Sequence, residues 1–142
     1  MRVKFKKLHK DAVSPKFAHK TDAGADLTAT SADFSRYGQV VYGTGLAVEI
    51  PEGMVGLLFP RSSVRNTDLL MSNCVGVIDS GYLGEIMVTF NCNSRTPDNV
   101  MYKVGDRIAQ LVIMPVPLAK YVEVDELSET QRGKDGHGST GV

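Results

Sequence analysis

A short apolar run that ends in a carboxylate lies midway along the chain, and a glycine turn with one aromatic ring follows it. Val77 and Ile78 favour extended structure, Asp79 ends the run and Tyr82 lies in the turn. We interpret residues 76–90 as a β-hairpin. A carboxylate beside the turn can deprotonate a water molecule, and the main chain of a splayed hairpin can read a flat polar ring. An ordinary turn with a packing tyrosine explains the same residues, so this run alone does not decide the function.

Three further runs place polar residues at the boundaries of predicted strands. Residues 59–63 set Arg61 and two serines at a possible helix N-terminus, where free N–H groups and a forked guanidinium suit phosphate. Asp26 in residues 23–27 and Gln110 in residues 105–111 are polar members of the other two runs. Each run also has a structural explanation, such as a buried ion pair between Asp26 and a nearby arginine, Arg107.

The C-terminal residues 131–142 have no apolar periodicity, and residues 133–141 include four glycines, so this segment has nothing with which to fold alone. It carries many donors for phosphate oxygens on a backbone that can wrap them. These donors are Arg132, Lys134, His137, Ser139 and Thr140. A frayed terminus explains the composition as well.

Short apolar or alternating runs recur between turn signals, which predicts an all-β domain of the jelly-roll, sandwich or barrel type. The predicted strands are residues 3–8, 25–29, 39–42, 46–50, 54–59, 74–78, 85–91, 107–115 and 121–124. Residues 62–71 are the one short helix that the sequence predicts. We expect one β domain over residues 1–130 and a flexible segment over residues 131–142.

The charge balance excludes whole-protein attraction to nucleic acid or to membrane surfaces. The 142 residues include 16 basic and 16 acidic side chains, for a net charge of zero. No run approaches the roughly 20 apolar residues of a membrane span, and the charged, alternating start is unlike a signal peptide. We therefore expect an intracellular protein without stable nucleic-acid or membrane binding. Cys74 and Cys92 lack metal-ligand spacing and are predicted to be reduced, mostly buried thiols.

Five of these runs, in this order, resemble the five motifs of the trimeric dUTPases, the dUTP nucleotidohydrolases. The matching segments are residues 23–27, 60–63, 73–87, 105–111 and 132–141. One glycine-rich string matches by chance, but five in order and at suitable spacing are specific. The resemblance implies a jelly-roll-like, β-clip subunit in a homotrimer with shared active sites. The C-terminal segment would then be a lid that closes a neighbour's site.

The resemblance also implies the reaction and its residues. Asp79 would activate the water that attacks the α-phosphorus of dUTP, giving dUMP and pyrophosphate, and Tyr82 would stack on deoxyribose and exclude a 2′-hydroxyl. Uracil would be read by the predicted hairpin and its approach, through Asn73, Gly76, Val77, Ile78 and Met87. The triphosphate would be held by Arg61, Ser62, Ser63 and Gln110 and, from the lid, by Arg132, Gly138, Ser139 and Thr140.

One Mg²⁺ is expected, bound mainly by the three phosphates and by water, with Asp26 holding a metal-bound water. Two positions depart from the family's pattern. His137 stands where many members have a Phe that stacks over uracil, and its smaller ring is titratable near neutral pH. Ser63 stands where glycine is common, which adds a hydroxyl and restricts the backbone.

Two other functions stay open at this point. A dCTP deaminase, a structural cousin, would attack the base and release ammonia, although residues 79–82 resemble the hydrolase version of the turn. A non-catalytic nucleotide-binding regulatory module would keep the pocket without turnover. The presence of Asp79, Arg61, Gln110 and the whole C-terminal segment argues against lost catalysis.

Overall fold

Nine β-strands and one short 3₁₀ helix make up the regular structure in the part of the chain that the computed structural model describes, residues 1–35, 37–93 and 100–136. The strands are β1 (Lys4–Lys7), β2 (Ala25–Thr28), β3 (Ser31–Phe34), β4 (Gln39–Glu49), β5 (Met54–Pro60), β6 (Leu69–Met71), β7 (Gly76–Ile78), β8 (Glu85–Cys92) and β9 (Arg107–Pro115). The 3₁₀ helix is Ser62–Asn66. The predicted all-β, jelly-roll-like fold with at most one short helix is confirmed.

The strands form two antiparallel sheets. One has the order β1-β4-β8-β6, with β3 also pairing with β4, and the other has the order β2-β9-β5-β7. Alternation along β8 turns Ile86, Val88 and Phe90 inward, where each is no more than 1% exposed. They pack in one core with Leu58 of β5 and Ile108 of β9, so the core lies between the two sheets. Burying each such side chain stabilises the fold by about 1.5–3 kcal/mol.

The strand predictions differ from the structure at positions where pairing with another strand determines whether a strand forms and where it ends. Residues 39–42 and 46–50, predicted as two strands, are the single strand β4, whose pairing with β8 shifts register between Gly43 and Ala47. The predicted strand over residues 121–124 is wrong, because this stretch is exposed and has no strand pairing. The polar β3 and the three-residue β6 were not predicted, because neither shows a clear apolar alternation.

The predicted helix over residues 62–71 is shorter than expected. It ends as a 3₁₀ helix at Asn66, and Thr67 adopts extended geometry. The hydroxyl of Thr67 donates to the carbonyl of Val64 and accepts the N–H of Leu69, at 2.7 and 3.2 Å, which replaces helical bonding and starts β6. No helix among the described residues combines the length and the apolar character that a membrane span needs.

The predicted hairpin over residues 76–90 is wrong in its pairing. β7 pairs with β5 in one sheet, whereas β8 pairs with β4 and β6 in the other. The turn over residues 79–84 therefore crosses between the sheets, which places Asp79 and Tyr82 at the boundary of the sandwich. The apolar residues of β7 suit pairing with β5 and with β8 equally well, so the sequence could not show which of the two strands β7 pairs with.

The prediction of mostly buried cysteines is wrong for Cys74. This thiol is exposed and lies in the turn after β6, where the residue has a left-handed backbone with φ of 57°. Cys92, at the end of β8, is partly buried. Both cysteines are free, as expected.

Candidate active site

Three neighbouring strands bring one predicted group of site residues together. In the order β2-β9-β5, Asp26 pairs with Gln110, and Gln110 pairs with Phe59. Arg61 follows the end of β5 directly, so its side chain can reach back across β9. The strand register therefore assembles residues from three separate sequence motifs at one place.

Asp26 is the centre of this group, and its side chain is only 7% exposed. Oδ1 accepts a hydrogen bond from Nε of Arg61 at 2.8 Å and one from Nε2 of Gln110 at 3.4 Å. Oδ2 accepts one from Nη1 of Arg107 at 2.9 Å. A buried ion pair between Asp26 and Arg107 was one of the sequence-based interpretations. The pair is present, but only Asp26 is buried, because the Arg107 side chain is 54% exposed. We call Asp26, Arg61, Arg107 and Gln110 the cation cluster.

The cation cluster carries an excess of positive charge. Two guanidinium groups face one carboxylate, which leaves one unbalanced positive charge near the end of β5 and the start of β9. Nη1 of Arg61 donates to Ser63 and to the carbonyl of Arg107, and the hydrogen bonds among the described residues leave Nη2 without a protein acceptor. The cluster can therefore bind an anion through the Nη2 donors of Arg61, which are already held in place.

The serines after Arg61 begin the 3₁₀ helix. Ser62 is exposed, and Ser63 is partly buried, with its Oγ 3.3 Å from Nη1 of Arg61. On its other side, Oγ of Ser63 lies 3.0 Å from the hydroxyl of Tyr102. Sequence analysis did not select Tyr102, because an isolated tyrosine before a glycine turn carries no motif signal.

Tyr102 is held by two aromatic neighbours. Its ring packs edge to face on Tyr42 and Phe90, with centroid distances of 6.3 and 5.9 Å. The hydroxyl of Tyr42 donates to the carbonyl of Tyr102 at 2.8 Å. Burial, with smaller contributions from nearby acidic groups, raises the pKa of Tyr42 to about 12, so this hydroxyl keeps its proton.

A second group of predicted residues lines a cavity of about 280 Å³ at the crossing between the sheets. We call this cavity the crossing slot. Its lining is Val77, Ile78, Asp79, Tyr82, Glu85, Ile86, Met87 and Thr89. The volume lies just below the roughly 300–1,000 Å³ of typical ligand pockets, which suits a small ring better than a large one. Asp79 is exposed at the end of β7, where its carboxylate can meet a water molecule.

The ring of Tyr82 has a defined position over the turn. Its N–H donates to the carbonyl of Asp79 at 3.0 Å, and its hydroxyl donates to the carbonyl of Glu85 at 2.8 Å. A Cβ atom added to Gly84 would lie 2.6 Å from that hydroxyl oxygen, so only glycine allows the ring to lie this close. The turn therefore presents a fixed aromatic wall to the slot.

Glu85 is a slot residue that sequence analysis missed. Its Oε1 accepts the N–H of Gly45 at 2.7 Å, inside the irregular part of β4. Thr44 adds a second bond across this irregularity, because its fully buried hydroxyl donates to the carbonyl of Ile86 at 2.7 Å. The signal available in the sequence was an acidic residue directly after the glycine that ends the Tyr82 turn. These bonds anchor the slot to the central strand of its sheet.

Asn73 and Gly76 lie at the approach to β7. Gly76 is buried and pairs with Leu58, and an added Cβ would lie 3.1 Å from Cβ of Leu58. It would also lie 3.4 Å from Nδ2 of Asn73, so the amide of Asn73 lies next to Gly76. The structure thus places Asn73 and Gly76 beside the strand that leads to Asp79.

The cation cluster and the crossing slot lie at opposite ends of β5. Asp79 follows Ile78, which pairs with Gly56, whereas Arg61 follows the last residue of β5. The stretch from residue 55 to residue 61 spans about 20 Å at roughly 3.3 Å per residue. Arg61 also turns towards Asp26 on β2, across β9 and away from β7. One chain therefore does not bring these two groups to a common atom.

The C-terminal residues meet neither group in the described part of the chain. Arg132 is exposed and donates to the carbonyls of Asp135 and Gly136, at 3.1 and 3.5 Å. The remaining predicted lid residues, His137, Gly138, Ser139 and Thr140, lie outside the described residues. Their predicted roles stay predictions.

The protein ligands for a metal ion are few. Within residues 1–35, 37–93 and 100–136, no group of three or more His, Cys, Asp or Glu side chains could hold one. Asp26 uses three of the roughly four lone-pair sites of a carboxylate on Arg61, Arg107 and Gln110. This donor set fits a cation that a phosphate ligand brings with it.

Comparison with known families gives one match over nearly the whole chain. Residues 10–141 match the family model described as dUTPase. Among similar proteins, the deoxyuridine 5′-triphosphate nucleotidohydrolase of Nocardia farcinica is 47% identical over 130 residues, covering 89% of this chain and 78% of that protein. The protein of the same name from Corynebacterium glutamicum is 44% identical over 142 residues, covering 98% and 94%.

Solved structures with the same fold include phage enzymes. A mutant dUTPase of Staphylococcus bacteriophage 80alpha, solved with dUpNHpp, has a TM-score of 0.85 and 32% identity, covering 99% of both chains. A mutant dUTPase from phage phi11 of S. aureus, solved to show the coordination of a structural Mg(II) ion, has a TM-score of 0.75 and 29% identity. That match covers 89% of this chain and 98% of the phage protein.

Proposed function

The chain belongs to the dUTPase family, and on that premise we propose that it is a dUTP diphosphatase, which hydrolyses dUTP to dUMP and pyrophosphate. The observation that carries the proposal is the exposed carboxylate of Asp79 at the edge of a small slot walled by a fixed tyrosine ring. Such an enzyme limits uracil incorporation into DNA and supplies dUMP for dTTP synthesis. Because its substrate belongs to the nucleotide pool of the cell, we place the enzyme inside the cell.

In the proposed reaction, Asp79 is the general base. Its carboxylate accepts a proton from a water molecule whose oxygen forms the new bond to the α-phosphorus. The bond from that phosphorus to the bridging oxygen of the β-phosphate breaks, and pyrophosphate leaves with both electrons of the bond. Asp79 stands at a strand end with an exposed carboxylate, which supports this role.

The cation cluster is the proposed site for the α and β phosphate oxygens. Arg61 offers its Nη2 edge, while its Nε and Nη1 groups are held by Asp26 and Ser63. Such a preorganised donor needs little reorganisation when charge develops on the phosphorus. Ser62 and Ser63 add hydroxyls, and Gln110 adds the amide proton that its hydrogen bond to Asp26 leaves free.

The crossing slot is the proposed site for uracil and deoxyribose. Main-chain groups around Val77, Ile78 and Met87, with the amide of Asn73, would pair with the polar edge of uracil. Gly84 leaves room for the ring of Tyr82 and the carbonyl of Glu85 orients it, so the ring would occupy the space that a ribose 2′-hydroxyl needs. These contacts would make UTP a poor substrate.

We propose Mg²⁺ as the cofactor, carried mainly by the triphosphate oxygens and by water. When bound, the ion would neutralise part of the triphosphate charge. Asp26 would act through a metal-bound water by the one lone-pair site that its three hydrogen bonds leave open. The lack of a separate acidic cluster among the described residues supports a substrate-borne cation.

A substrate screen tests the function. Purified protein is incubated with dUTP, UTP, dTTP and dCTP, with and without Mg²⁺, and pyrophosphate and ammonia are both measured. We expect pyrophosphate from dUTP in the presence of Mg²⁺ and little from the other three nucleotides. Ammonia release from dCTP would instead identify a deaminase, and binding of dUTP without any product would identify a regulatory module.

We propose that the enzyme is a homotrimer whose active sites are shared between subunits. The separation of about 20 Å along β5 between the levels of Asp79 and Arg61 supports this arrangement, because both must approach the same phosphate. Five apolar side chains after β9 are more than half exposed in the single chain, which supports a partner surface: Leu118, Tyr121, Val122, Val124 and Leu127. Residues 131–142 would form the lid of a neighbouring site, separate from the β domain of residues 1–130.

Mixing two inactive variants tests the shared site. Subunits of Asp79→Asn and Arg61→Gln are unfolded together in equal amounts and refolded as mixed trimers. If Asp79 and Arg61 of one site come from different chains, about one quarter of the sites receive both intact residues, so about one quarter of the wild-type activity returns.

The control mixes Asp79→Asn with Asp79→Ala, which no arrangement of subunits can complement. Size-exclusion chromatography with light scattering checks that both mixtures are trimers. If the Asp79→Asn and Arg61→Gln mixture forms trimers but stays as inactive as this control, both residues serve a site within one chain.

A further inference from the structure

The hydroxyl of Ser63 lies between two hydrogen-bond partners, and the chemistry of each partner limits whether it donates or accepts. Nη1 of Arg61 is 3.3 Å from it and Oη of Tyr102 is 3.0 Å from it. A serine hydroxyl has one proton to donate and two lone pairs to accept with. Arginine only donates, so one lone pair of Ser63 belongs to Arg61. The direction of the bond to Tyr102 then decides where the proton of Ser63 points.

Two directions are possible for the Ser63 to Tyr102 bond. If Ser63 donates, its single proton is used inside the protein, and Ser63 offers no donor to an anion. If Tyr102 donates, both lone pairs of Ser63 are filled and its proton is free. A phenol is a stronger acid than an aliphatic alcohol and is therefore the better hydrogen-bond donor. The acidity difference favours donation by Tyr102.

The surroundings of Tyr102 keep its hydroxyl aimed at Ser63. The ring is held edge to face by the rings of Tyr42 and Phe90. A ring fixed on two sides cannot swing its hydroxyl away without breaking these contacts. Packing of the Tyr102 ring against the core therefore sets the direction in which its hydroxyl points towards Ser63.

We propose that Tyr102 is a positioning residue that fixes the hydrogen-bond direction of Ser63, so that the Ser63 proton is committed to a phosphate oxygen of the substrate. The proposal rests on the proposed binding of the triphosphate at Arg61 and Ser63. It adds a residue outside the five sequence motifs, in the described loop before β9. Without the Tyr102 hydroxyl, Ser63 would be free to rotate, and its proton would be shared with water and other acceptors.

A double-mutant cycle tests the proposal. Wild type, Tyr102→Phe, Ser63→Ala and the double variant are compared in Kd for a dUTP analogue with a nitrogen bridge between the α and β phosphates. We expect Tyr102→Phe alone to weaken binding by about 3- to 10-fold, the range of one net hydrogen bond. In the Ser63→Ala background, we expect the same change to have no further effect, because Tyr102 acts only through Ser63.

Two controls separate this role from a structural one. Deoxyuridine, which has no phosphate, should bind wild type and Tyr102→Phe with the same inhibition constant when it competes with the analogue. Tyr42→Phe removes the neighbouring hydroxyl of the same aromatic cluster but keeps the ring. It should lower the melting temperature and leave the Kd of the analogue within about 2-fold of wild type, because surrounding contacts still hold Tyr102.

The outcomes that overturn the proposal differ from those that overturn the function. Equal weakening by Tyr102→Phe in both backgrounds, or no weakening in wild type, would show that Tyr102 does not act through Ser63. Full affinity of Ser63→Ala would remove Ser63 from the phosphate site and sink the proposal, while dUTP hydrolysis by wild type stands. A wild type that neither binds the analogue nor releases pyrophosphate refutes the proposed function itself.

Discussion

Asp79→Asn lowers the turnover of dUTP by about 10²- to 10⁴-fold, the usual contribution of a general base, while dUTP binding stays nearly intact. An amide has almost the same shape as the carboxylate, but it cannot take a proton from the attacking water. Asp79 lies at the exposed end of β7, so the exchange leaves no buried group without a partner. Single-turnover release of pyrophosphate measures the chemical step, and titration with the nitrogen-bridged analogue measures binding.

The matched control for this variant is Asp33→Asn. Asp33 is an exposed aspartate on β3, which β4 separates from the slot residues of β8, so it undergoes the same change of charge outside the slot lining. Its turnover should equal that of wild type. If Asp79→Asn also turns over dUTP at the wild-type rate, Asp79 is not the base, and another group must activate the water.

Removing residues 132–142 lowers turnover by at least about 10²-fold, the loss expected when preorganised donors to the developing charge disappear. The deleted residues include Arg132, Ser139 and Thr140, the proposed donors to the terminal phosphate. The trimer should persist, because the strands and the core end before this segment. Pyrophosphate release measures the first effect, and light scattering after size-exclusion chromatography measures the second.

Two single variants show whether the loss of turnover comes from the donors of the deleted segment. Arg132→Ala, which keeps the rest of the segment, should lose part of the rate, since one cation is removed while the other donors stay. Lys120→Ala alters an exposed cation before the segment and should keep full activity. Hydrolysis of dUTP at the full rate by the shortened protein would mean that the segment is not a lid.

Much of the fold follows from local patterns. Alternation in residues 85–91 and 107–115 predicted β8 and β9 nearly to the residue, because inward and outward positions along a strand repeat every two residues. The same logic failed at residues 121–124, where apolar side chains occur without a strand partner. It also split β4, because Gly43 and Gly45 signal a turn whether or not the chain reverses there.

The types of chemistry in the candidate site were also available from the sequence. Asp26, Arg61, Asp79 and Gln110 were selected because their residue types and motif order suit phosphate binding and water activation. Their individual roles in catalysis stay predictions. Tyr102 and Glu85 were not selected, because each acts through contacts with residues far away in the chain, Ser63 and Gly45 respectively.

By itself, the sequence determined the all-β class and most of the strands, which side chains could do the chemistry and which family the motifs resemble, since all of these depend on residue type and order. Only the tertiary structure decided that β7 and β8 separate into different sheets. It also decided that Asp26 joins two arginines, while Asp79 stands at the other end of β5. The physical reason is that side-chain alternation is local, whereas the choice of a strand's partner depends on packing between residues distant in sequence.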